Sequence, residues 1–140
     1  MTVRELSQYY WLKKEIAHDR ERLEALRYDL AVPSSPNLSG MPGGGHSDAH
    51  RMENAVVERL EQVSEVESII AEKIKRCEAE LVKLERYIQA IPDSYTRQLF
   101  TLRFCDCLPW PMVAQKIGGI SPDSARVIVK RYVRQHRNDV

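Results

Sequence analysis

Aromatic side chains are scarce, at 7% of the residues, and Val and Ile stand among Glu, Lys and Arg instead of alternating with polar residues. Sheets depend on both signals, so an all-α chain is expected. Cysteine is nearly missing: Cys77, Cys105 and Cys107 form an odd set, and Arg4, Glu5, Lys13 and Lys14 interrupt the first apolar residues where a secretory leader would need a continuous run. The expectation is a cytoplasmic chain with reduced thiols. No apolar run reaches the roughly 20 residues of a membrane span, so no membrane partner is expected.

Catalytic and metal patterns are missing too. His18, His46, His50 and His136 are scattered, and Cys105-Asp106-Cys107 has no second ligand pair at zinc spacing. There is no H-E-x-x-H, no Ser/His/Asp or Cys/His set placed to suggest a triad, and no paired-carboxylate signature in a cleft-forming fold. No enzyme, no metal and no cofactor are therefore expected. One stretch, Gly40 to Ser47, resembles a phosphate-binding Walker loop with His46 in place of the lysine. It follows a heptad helix and prolines rather than a buried strand, so it lacks the context that nucleotide binding requires.

What is present is helical periodicity. Thr2 and Glu5 have the spacing of a capping box. Tyr9, Leu12, Ile16, Leu23, Leu26 and Leu30 follow at steps of three and four, with Asp19 as a polar intruder. This predicts a helix over about 3–31, on the order of 43 Å long. Residues 32–47 hold three prolines and four glycines and read as a flexible connection. The pattern resumes over about 48–91 with Leu60, Val63, Ile70, Ile74, Cys77, Leu81, Leu84, Ile88 and Ile91, Glu67 being the weak position and Val66 and Ile69 widening the stripe. That is roughly 60 Å of helix. Two such helices cover each other's seams as a long antiparallel hairpin, a coiled coil, which makes 1–91 one expected domain. Apolar seam left over on the longer helix predicts packing on the C-terminal domain or a homo-oligomer, a dimer being favoured.

Beyond Pro92, residues 92–140 read as a second, tri-helical domain. Asp93 or Ser94 can cap a helix carrying Tyr95, Leu99, Phe100, Leu102, Arg103 and Phe104. A short helix near Trp110 turns Val113, Ala114 and Ile117 inward, Gly118-Gly119-Ile120 makes a turn, and a helix over about 122–136 follows, with Ser121 as cap and Pro122 at the first helical position. This is the order of a helix-turn-helix. Ala125, Ile128, Val129 and Tyr132 fall on its inner stripe. Asp123, Ser124, Arg126, Val127, Lys130, Arg131 and Arg134 fall outside it and are the candidate DNA-contacting residues.

The charge supports that assignment. The net +1 conceals 13 Lys/Arg against 16 Asp/Glu in residues 1–92 and 8 against 3 in residues 95–140. No acidic residue occurs from 124 to 138. A solvated helix face normally mixes its signs, whereas a one-signed face suits a polyanion. Double-stranded DNA is the expected partner, read in the major groove by the early residues of the last helix.

The run "LRFCDCLPWPMVAQKIGGISPDSARVIVKRY", residues 102–132, resembles region 4 of bacterial sigma factors. The whole chain resembles small phage- and prophage-encoded proteins of Gram-positive bacteria, through Leu38 to Pro42, Gly43 to Gly45 and Ser47-Asp48 together with that C-terminus. The resemblance implies a phage transcriptional regulator, akin to activators of late genes, with host RNA polymerase as a further partner. Pro109 and Pro111 replace the usual capping Ser/Thr and early Glu of the pattern, and the turn at Gly118 to Ser121 is one residue longer. Two other readings stay open: a packaging oligomer of the small-terminase kind, and a polymerase-binding module that does not touch DNA.

Overall fold

The structure, a computed structural model, describes residues 1–31 and 45–137 of the chain, and every regular element among them is helical. The elements are α1 (Val3–Leu6), α2 (Gln8–Ala31), α3 (Gly45–Gln89), α4 (Ser94–Phe100) continuing into a π-helical turn (Thr101–Cys105), α5 (Trp110–Ile117) and α6 (Pro122–Gln135). Among the described residues no helix is long and apolar enough to cross a membrane.

Local chemistry accounts for where these helices begin and break. Thr2 Oγ1 accepts from the Glu5 amide at 3.2 Å, and the Glu5 carboxylate accepts from the Thr2 amide at 2.6 Å, which completes the capping box. The single helix expected over 3–31 is interrupted at Ser7, whose hydroxyl donates to the Val3 carbonyl at 2.8 Å. The Ser7 amide donates to the same carbonyl at 3.0 Å, so hydroxyl and amide share one acceptor where Ser7, at φ −84° and ψ −4°, caps the first short helix. Gly45, His46 and Ser47, expected in the connection, form the first turn of α3. No proline follows Pro42 until Pro92, and extending an existing helix backward adds one hydrogen bond per residue without a new nucleus. The rest of the expected connection, 32–44, lies outside the described residues, as do the matched positions from Leu38 to Gly44.

Compactness divides the chain into two units: residues 1–14 with 75–140, and residues 15–74. In the first, Leu6, Leu84, Ile88 and Ile91 share one buried cluster with Leu99, Phe100, Phe104, Val113, Ala125, Val129 and Val133. The boundary expected between 91 and 92 thus falls inside this unit, with Ile91 at 1% exposure in the common core. Phe100, fully buried, has ring centroids of Phe104 and Tyr132 at 5.4 Å and of Tyr87 at 6.1 Å. The tilted and edge-on geometries are those that aromatic quadrupoles favour.

In the second unit α2 and α3 run antiparallel: Asp19 meets Lys73 at 2.6 Å, Arg27 meets Glu67 at 2.6 Å, and the Arg59 guanidinium donates to the Asp29 carbonyl at 3.4 Å. Ile16, Leu23, Val66 and Ile70 are buried here. Asp19, the intruder in the heptads of α2, is the partner of Lys73, which is itself half-buried. Val66, 3% exposed, takes the place in the seam that strict heptad counting assigns to Glu67, which turns outward to Arg27. Leu60, expected in the seam, is 53% exposed, next to Arg59, whose guanidinium bonds to the Asp29 carbonyl near the end of α2.

Candidate nucleic-acid interface

The route from α4 to α6 is set by three backbone irregularities. The π-helical turn closes with the Asp106 amide donating to the Thr101 carbonyl at 2.9 Å. Cys107 follows at φ 57°, a left-handed conformation uncommon for a residue with a side chain. Together they let Arg103 donate to the Leu108 carbonyl at 2.9 Å and lay its guanidinium over the Trp110 ring at 4.6 Å. Pro109 offers no side-chain cap to α5, but the Arg103 brace secures the backbone next to it and Pro111 needs no amide in the first turn.

After α5, Gly118 and Gly119 both take positive φ, 79° and 68°. Open space surrounds both positions, so it is the dihedral angles that call for glycine. Ile120 packs half-buried against the core. Ser121 then accepts from the Ser124 amide at 3.1 Å and donates to the Ser124 hydroxyl at 2.8 Å, which leaves the exposed start of α6 well formed.

On α6, Ala125 and Val129 are buried, and Ile128 and Tyr132 are half-buried. Val133, at 6% exposure, also belongs to this inner face. Its signal was its step of four from Val129. Asp123, Ser124, Arg126, Val127, Lys130, Arg131 and Arg134 are all exposed, Val127 at 47%. Asp123 is the one acidic residue of α6 and stands 4.0 Å from Arg126 in a loose, solvated pair. His136 stacks on Tyr132 with centroids 4.0 Å apart, closing the helix end.

One cation joins this surface from the other end of the chain. Arg4 of α1 lines a groove of about 400 Å³ with Val3, Lys130, Val133, Arg134 and Arg137. Nothing in the local sequence pattern places Arg4 there. The nearby Glu5 carboxylate is occupied by the cap, and the Thr2 backbone and hydroxyl hydrogen bonds hold its pKa below the ordinary carboxylate value.

The cysteines are thiols, and burial raises all three pKa values, Cys105 to about 11. Among the described residues no three His, Cys, Asp or Glu side chains are grouped to hold a metal ion. Comparison of the chain with family models, with curated proteins and with solved structures finds no match.

Proposed function

We propose that α4, α5 and α6 act as a helix-turn-helix head and that the chain is a sequence-specific DNA-binding regulator of transcription, of the sigma region-4-like phage kind that the sequence resembles. The observation that carries this reading is the outer face of α6. Arg126, Lys130, Arg131 and Arg134 are exposed along it, and no acidic residue occurs between Asp123 and Arg137. An exposed, capped helix start with short side chains reaches base edges, while cations further along meet phosphates. Each phosphate neutralised releases condensed counterions, so affinity falls as salt rises. In this reading the paired α2 and α3 form a helical hairpin for self-association or polymerase contact.

Fluorescence anisotropy with labelled phage late-promoter duplex tests it. The expected result is binding at about 50 mM salt that an Arg126→Ala/Lys130→Ala/Arg134→Ala variant weakens by about a hundredfold or more. No binding by the parent chain, or equal binding by the variant, rejects the proposal.

A packaging oligomer draws support from a different place. Met52, Val56, Val57 and Leu60 of α3 form an exposed apolar stripe, each between 49% and 60% accessible. Such a stripe is an association surface. Light scattering separates the two readings: a dimer favours the regulator, a closed ring of about eight or more the packaging role.

A further inference from the structure

We infer that the groove between α1 and the second half of α6 seats a phosphate of the DNA backbone, with Arg4 as a contact supplied from outside the recognition helix. This inference rests on the DNA-binding reading above and extends it to a residue that no helix-turn-helix pattern would nominate.

The groove is one-signed. Arg4, Lys130, Arg134 and Arg137 line it, no Asp or Glu does, and none of the four cations has an ion-pair partner among the described residues. Like charges gathered in this way repel one another, and a bound anion relieves that cost. The partial negative charge at the end of a helix accounts for Arg134 in the last turn of α6. It does not account for Arg4, which belongs to a different helix.

Arg4 is also held in place. The Thr2–Glu5 cap fixes the backbone on either side of it, and Leu6, two residues on, is 1% exposed in the core that also holds Val129 and Val133 of α6. The two walls of the groove are therefore anchored in one packed core, so little ordering is left to do when a phosphate arrives. A guanidinium presents two parallel N–H donors to phosphate oxygens, which an ammonium cannot.

The position within α6 selects the kind of contact. Ser124 and Val127, short and exposed, occupy the first half of the helix, where base edges are reached. The groove lies along the second half, at Lys130, Arg134 and Arg137. A contact there is to backbone and carries no sequence information.

The test compares the parent chain with Arg4→Ala and Arg4→Lys on the target duplex and on an unrelated duplex of equal length, across a salt series. Arg4→Ala is expected to weaken both duplexes by the same factor, about fivefold to tenfold near 0.1 M salt, and to reduce the slope of log affinity against log salt by about 0.9. Arg4→Lys is expected to restore the slope and part of the affinity. Arg4 is exposed, so thermal melts of both variants should match the parent. If the parent binds and Arg4→Ala keeps the parental slope, or weakens the target duplex alone, the phosphate contact is wrong while the DNA-binding reading stands. If the parent binds neither duplex, both fall.

Discussion

Residues whose partners are local behave as their sequence neighbours suggest. Thr2, Asp93 and Ser121 each cap a helix, and Asp93 accepts from both the Thr96 hydroxyl, at 2.6 Å, and the Thr96 amide, at 3.1 Å. Those bonds hold its pKa below the ordinary carboxylate value, so the cap stabilises the fold above that range and is lost on acidification. Cys105 is different: its neighbours Asp106 and Cys107 in the sequence give no sign of its reactivity. Burial, reinforced by Glu85 and Asp106, pushes its thiol up to about 11. The thiolate is the nucleophile, so iodoacetamide should label Cys105 on the order of a hundredfold more slowly than a free cysteine at pH 8, with the rate climbing until the pH reaches about 11. Peptide mass spectrometry after timed labelling reads this out, and labelling at the free-thiol rate would show that the site is open to solvent.

At the scale of the element, the heptads of α2 and α3 are legible because they are periodic, but one polar pair within them is not. Asp19 interrupts the stripe of α2, and only the antiparallel pairing reveals Lys73 as its partner, with Glu15 at 3.6 Å on the same ammonium. The Asp19 hydrogen bond holds the Lys73 pKa above its ordinary value of 10.5. Its contribution is therefore complete below that value and disappears as pH rises through the higher folded-state value. Asp19→Leu leaves the half-buried ammonium to the more distant Glu15 carboxylate, 3.6 Å away, and should cost on the order of 1 kcal/mol in urea unfolding. Adding Lys73→Leu should recover that loss or exceed it, because two leucines continue the seam without desolvating a charge. A double variant less stable than the single one would mean that the ion pair contributes more than apolar packing can replace.

At the scale of the whole molecule, the first unit joins both ends of the chain. Residues 92–140 contain three helices and look self-sufficient, yet Leu6, Leu84, Ile88 and Ile91 complete their core at 1–3% exposure. Burying each such side chain stabilises by about 1.5–3 kcal/mol, and together these four rival the whole stability of a small domain, about 5–15 kcal/mol. A fragment of residues 92–140 should therefore melt without a cooperative transition in circular dichroism, whereas the full chain melts cooperatively. A sharp melt of the fragment would show that the C-terminal helices need no help from α1 and α3.

Sequence alone was enough to establish that this chain is helical, where most of its caps and turns lie, and that one face of its last helix is cationic. Those properties are carried by residues within a few positions of one another, through period, hydrogen-bond chemistry and backbone preference. The tertiary structure decided that Val66 and not Glu67 enters the seam, that Ser7 breaks the first helix, that Ile91 belongs to the C-terminal core and that Arg4 stands beside Lys130 and Arg134. All but the break at Ser7 depend on which surfaces meet across long stretches of chain. That is settled by side-chain shape and by the area buried, neither of which leaves a periodic mark in the sequence.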